Sequence, residues 1–138
     1  MHVIIGGAYS GKRQYVRDHW RSFQFISAYE EKTINELVTE DTVVYEGFEI
    51  WIREQIDRGK TNDEIVNWFR NWLASLKNPD KTVLIMLEIG KGIVPMEEQN
   101  RRMRDLVGWI QQEAVRQANT VTSIWHGLAM QMKNIISE

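Results

Sequence analysis

His2-Val3-Ile4-Ile5-Gly6-Gly7-Ala8-Tyr9-Ser10-Gly11-Lys12 opens the chain with a short β-branched run that ends at a glycine pair. The run has the composition of a buried strand, and the glycines stop it. Gly6 to Lys12 fits the pattern G-x-x-x-x-G-K, and a helix is expected from about Gly11 to Ser22. Strand, glycine loop and helix in that order are the context a phosphate-binding loop requires. Glycines let backbone N–H groups converge on phosphate oxygens, and the helix N-terminus adds roughly half a positive charge. Gly6, Gly7, Ala8, Tyr9, Ser10, Gly11, Lys12 and Arg13 are therefore the candidate nucleotide-binding residues. Lys12 would reach the β- and γ-phosphates as a point charge. A glycine turn that binds nothing is the competing reading.

Position 13 departs from the pattern. Ser or Thr usually stands there and ligates magnesium, and a guanidinium has no lone pair to offer. Arg13 is read as a solvated helix residue in preference to a phosphate contact. No metal is expected on a side-chain hydroxyl of the loop, so magnesium would have to use another ligand.

The rest of the chain alternates strands and helices. Phe23 to Ala28 is a second expected strand, and Ile34 with Leu37 hints at one or two short helical turns. Asp41 to Glu46 reads as a strand, and a helix from about Glu49 to Arg58 stops at Gly59. Thr61-Asn62-Asp63-Glu64 has capping-box spacing, and Ile65, Trp68, Phe69, Trp72, Leu73 and Leu76 then follow helical periodicity. Thr82 to Glu88 is apolar on both faces, as suits an interior strand of a covered parallel sheet. A long helix from about Glu97 to Asn119 would bury Met103, Leu106, Val107, Ile110, Ala114 and Ala118. Thr120 to Trp125 reads as a last strand, His126-Gly127 as a turn, and Leu128 to Lys133 as a strand or helical tail. This order specifies an α/β, P-loop-type three-layer domain with a mostly parallel sheet flanked by helices. No linker or repeat interrupts it, so residues 1–138 are expected to form a single domain.

Ligands of parallel sheets sit beyond the carboxyl ends of the strands. Glu46 and Glu88 end two strands, and with Lys12 they form the candidate catalytic set. Either carboxylate could hold a metal through water or accept a hydroxyl proton. A carboxylate satisfied by neighbouring N–H groups is the alternative for each.

Composition narrows the classes. A net charge of −2 gives no general attraction to nucleic acid or anionic lipid. Without cysteine there is no disulfide, Cys-ligated zinc or thiol nucleophile. No apolar run is long enough for a signal peptide or a membrane span, so a cytoplasmic protein is expected. Six tryptophans are read mainly as packing mass, because most lie at helical spacing.

A second motif, Glu88-Ile89-Gly90-Lys91-Gly92-Ile93-Val94-Pro95, is followed by Arg101, Arg104-Asp105, Gly108 and Gln111-Gln112. With these residues the chain resembles the adenosylcobinamide kinase/adenosylcobinamide-phosphate guanylyltransferase family of cobalamin biosynthesis. The family's G-G-A-R-S-G-K-S is similar to Gly6 to Arg13, differing at Tyr9 and Arg13, and its E-V-G-x-G-I-V-P to Glu88 to Pro95. The resemblance spans nearly the whole chain and implies a P-loop fold, a homotrimer, and ATP or GTP as phosphoryl donor to adenosylcobinamide. It makes Gly90, Gly92, Pro95, Arg101 and Arg104 candidate substrate residues. The family also transfers GMP through a guanylylated histidine on an Arg-rich helix between its second and third strands. Here Tyr29 to Glu40 contains neither histidine nor arginine, and His2, His19 and His126 lie elsewhere. His19 is read as a half-buried neighbour of Trp20. The kinase half-reaction is therefore expected in preference to guanylyl transfer. A regulatory or assembly protein that binds nucleotide without turnover is the rival, and an unrelated small P-loop kinase a third reading.

Overall fold

The computed structural model describes residues 1–8, 10–88 and 98–135, with Gln99 by its backbone only. Tyr9, Gly90, Gly92 and Pro95 lie outside the described residues. Among the described residues six strands form one sheet: β1 (His2–Gly6), β2 (Gln24–Ser27), β3 (Val43–Glu46), β4 (Thr82–Leu87), β5 (Thr120–Trp125) and β6 (Leu128–Asn134). Their spatial order is β2-β3-β4-β1-β5-β6, with every pairing parallel except β5 with β6. The α-helices are α1 (Lys12–His19), α2 (Phe48–Asp57), α3 (Asn62–Ala74) and α4 (Glu98–Gln117). The chain thus has the expected α/β architecture of a P-loop-type domain.

Strand alternation sorts the core into two layers. Val3, Tyr45, Leu84, Met86 and Val121 pack in one cluster with Trp51, Phe69, Leu106 and Ile110 of α2, α3 and α4. Ile4, Val44, Val83, Ile85 and Ile124 point the other way and pack with Val16 of α1. Both faces of β4 are consequently buried, which is why its sequence is apolar without alternation. The whole expected apolar face of α4 is buried, and Thr61 and Glu64 complete both halves of the capping box that opens α3.

Three expectations need correction, and one open alternative, the form of the tail, is decided. Helix α1 ends at His19 rather than Ser22, because Trp20 turns to extended backbone with its N–H still on the Val16 carbonyl. Residues 33–42 hold no helix: a 3-10 turn covers Ala28–Glu30, and of the two apolar residues there Ile34 is buried while Leu37 is 77% exposed. One apolar anchor cannot fix a helical face. The tail is a strand, since His126 and Gly127 both adopt positive φ and make the tight turn that suits a hairpin. Packing accounts for Trp51 and Trp72, whereas Trp109 and Trp125 are exposed.

Thr61→Ala removes the α3 cap and should lower stability by about 1 kcal/mol. Phe69→Ala, at a fully buried position, should lower it by about 3–5 kcal/mol. Urea denaturation with an unchanged m-value checks both.

Candidate functional site

The loop between β1 and α1 is shaped by close approach. A Cβ on Gly6 would lie 2.6 Å from the Ile124 carbonyl oxygen and 2.5 Å from Ser10 Oγ, so no side chain fits there. Gly11, the N-cap of α1, has φ of 98°, a left-handed conformation that glycine adopts without strain. Among the described residues no side chain caps α1. The hairpin turn braces the loop from outside, with Gly127 N–H donating to the Ser10 carbonyl at 2.9 Å. From the neighbouring strand, Glu88 N–H donates to the Gly6 carbonyl at 3.0 Å.

A cavity of about 690 Å3 opens over this loop. Ala8, Ser10, Gly11, Lys12, Arg13 and Arg17 line it from the loop and α1, Glu46 from the end of β3, Tyr29 from the 3-10 turn after β2, and Glu49 from the first turn of α2. Lys12 Nζ donates to the Gly7 carbonyl at 2.5 Å and reaches Ser10 Oγ at 3.4 Å. Folded back in this way, the ammonium lies against the loop it would share with a phosphate. Burial pushes its pKa down from the usual lysine value, and Glu46 and Glu49 oppose that shift.

Arg13 is not the solvated residue expected from sequence, nor is it free to turn wholly to a phosphate. Its Nε donates to Glu46 Oε1 at 2.8 Å and its Nη2 to Oε2 at 2.6 Å, a bidentate ion pair. The guanidinium also stands 5.1 Å from the centre of the Phe25 ring. Hydrogen bonding to Glu46 raises its pKa further. Glu46 is buried, and its Oε2 accepts a third bond from Ser27 Oγ at 2.9 Å. Ser27 and Glu46 are register partners at the ends of adjacent parallel strands.

Magnesium at a P-loop is held by the hydroxyl after the lysine and by a strand-end carboxylate. Here the first position offers only a cation, and both oxygens of the second are taken by Arg13 and Ser27. Among the described residues no cluster of three His, Asp or Glu side chains could hold a metal. The residues present do not fit a magnesium ion in that place.

The remaining candidates are dispersed. Glu88 is half-buried and does not line the cavity. Its register explains this: Gly6 pairs with Leu87 but Glu46 pairs with Ile85, so the two carboxylates end their strands at different heights. Arg101 is exposed, and Arg104 pairs with its neighbour Asp105 at 3.1 Å. Such a partly exposed pair contributes under ~1 kcal/mol. Gln111 has a structural role instead, donating to the Leu87 carbonyl at 2.7 Å. His19 is exposed rather than half-buried, stacked on Tyr15 with ring centres 3.9 Å apart.

Ser27, Tyr29 and Glu49 were not singled out by sequence. Tyr29 Oη donates to Glu49, and both line the cavity. The strand-end rule that found Glu46 could also have found Ser27, whose hydroxyl closes a four-residue strand.

The sign of the Lys12 shift makes a prediction. The unfolded chain holds that proton more tightly than the folded one, so Lys12 lowers stability at neutral pH. Its contribution becomes less unfavourable as pH rises toward the ordinary lysine pKa of 10.5. Lys12→Met should therefore stabilise the protein more at pH 7 than at pH 10.5, as read by urea unfolding at both.

Comparison with known proteins agrees with this architecture. A family profile described as cobinamide kinase / cobinamide phosphate guanyltransferase matches residues 13–132. The matched span begins at Arg13, so the loop of Gly6 to Lys12 rests on its own geometry. The bifunctional adenosylcobalamin biosynthesis protein CobU of Escherichia coli (strain K12) is 36% identical over 60 residues. That match covers 44% of this chain and 33% of the relative, so the chain spans about a third of the length of the curated relative it matches. The chain belongs to the cobinamide kinase / cobinamide phosphate guanyltransferase family.

Proposed function

We propose that this chain binds ATP or GTP with the phosphates on Gly6 to Arg13 and acts in cobalamin biosynthesis as a kinase of adenosylcobinamide. The observation that carries the reading is the cavity over an uncapped helix N-terminus with Lys12, Arg13 and Arg17 on its wall. Convergent N–H groups and cations at a helix start are what a polyphosphate needs. Lys12 would exchange its bonds to the loop for phosphate oxygens and follow the group being transferred.

Glu46 is committed to Arg13, so it is a poor acceptor for a hydroxyl proton. Glu88 is the remaining candidate for that role, from outside the lining of the cavity, and it precedes Gly90, Gly92 and Pro95 in the chain. Arg101 and Arg104, at the start of α4, would meet the phosphorylated product. Family membership supports a transferase. The kinase half-reaction is favoured over guanylyl transfer because Tyr29 to Glu40 lacks histidine and arginine. His19 lies on α1 and not between β2 and β3, so it does not match the position of the family's nucleophile.

Length and composition carry the expectation of one domain and a cytoplasmic location, and the family resemblance that of a homotrimer. Exposed Leu128, Met130 and Met132 on the edge strand β6 support association of copies. Among the described residues no helix is long and apolar enough to cross a membrane.

A second reading, a nucleotide-binding regulator without turnover, is favoured by the Arg13–Glu46 pair itself, because it occupies the carboxylate nearest the phosphates.

Calorimetric titration with ATP and GTP tests the binding step. Lys12→Ala should weaken affinity at least tenfold; undiminished binding, or none at millimolar nucleotide, sinks the proposal. Incubation with adenosylcobinamide, ATP and magnesium, followed by mass spectrometry, should give the phosphorylated corrinoid. Its absence, with binding intact, selects the regulator. GTP labelled at the α-phosphate should leave no covalent label on the protein.

A further inference from the structure

The pair that displaces the magnesium ligands has a consequence for nucleotide recognition. A divalent cation at a P-loop joins the loop to the strand-end carboxylate and neutralises the phosphates. Arg13 joins the same two places, because it follows Lys12 on α1 and grips Glu46 at the end of β3. Its guanidinium has five N–H donors, of which two are used on Glu46. Side-chain exposure of 40% leaves room for the others, and Arg13 lines the cavity over the loop. Phe25 and Ser27 hold the two ends of the pair in place.

We propose that the Arg13–Glu46 pair stands in for the divalent cation, so that the nucleotide binds through Lys12 and Arg13 without magnesium. The proposal rests on the phosphate-loop reading above and deepens it by naming metal-free triphosphate as the form recognised. Arg13 supplies a fixed positive charge and N–H donors to the phosphates, whereas a magnesium ion on the nucleotide would meet a cation in its usual place. With no hydroxyl after Lys12 and both Glu46 oxygens engaged, the metal gains no protein ligand there, which makes the metal complex the equal or poorer ligand.

The test is the Kd for ATP, measured calorimetrically in excess EDTA and again in millimolar magnesium. The expected result is binding in EDTA as tight as in magnesium or tighter. Binding weaker in EDTA by more than threefold overturns the proposal while leaving the phosphate loop intact. Absence of binding in both conditions overturns the loop reading and the proposal together. Arg13→Ser restores the hydroxyl and frees Glu46, so a folded Arg13→Ser protein should lose at least tenfold in affinity on adding EDTA. A variant with native circular dichroism that stays indifferent to EDTA also overturns it. Should Arg13→Ser fail to fold, the wild-type comparison decides.

Discussion

The bidentate bond between Arg13 and Glu46 is the interaction on which the site depends. Glu46 is only 5% exposed, and a carboxylate so buried cannot keep its charge cheaply without a partner. Removing one partner from a buried pair costs several kcal/mol, whereas an exposed pair contributes about 0–1 kcal/mol. Arg13 lies between these limits, with 40% of its side chain exposed and its guanidinium 5.1 Å from the centre of the Phe25 ring. The bond therefore ties α1 to the end of β3 chiefly by what its loss would leave behind. Because Lys12 precedes Arg13, the same constraint fixes the direction of the first helical turn, and with it the placement of Lys12 and the uncapped N–H groups.

The sheet supplies the platform for that bond. Parallel pairing of β3, β4 and β1 brings Glu46, Leu87 and Gly6 to one edge, where the loop, the cavity and the hairpin turn meet. Gly127 holds Ser10 from one side and β4 holds Gly6 from another. Heavy packing against α2, α3 and α4 lies on the opposite face from α1, so that core can be dense without crowding the site. α1 carries a single fully buried residue, Val16, and its position owes correspondingly more to the Arg13 bond.

Much of the fold was legible because local rules and tertiary packing agree. Thr61 and Glu64 form their capping box within four residues, and the α4 face repeats at a period that one helix can satisfy alone. Thr82 to Leu87 is buried on both faces, so its apolar run carries the signal of its layer. The failures share a cause. Arg13 meets a partner 33 positions away, and no spacing rule reports whether Glu46 will be buried or which cation will reach it. Glu46 and Glu88 look equivalent as strand ends, yet parallel register sets them at different heights. Ile34 and Leu37 suggest a helix, but only Ile34 finds the core. Family membership and the missing hydroxyl at position 13 could be read from the sequence because neither requires these distances; the pairing of Arg13 with Glu46 could not.

Arginine Nε-detected nitrogen NMR on the uniformly labelled protein tests the central claim most directly. The account predicts an Arg13 Nε–H resonance protected from exchange with water, and lost in Glu46→Gln while the remaining arginine signals persist. An Arg13 signal that exchanges as fast as that of exposed Arg101, or one unmoved by Glu46→Gln, would contradict it.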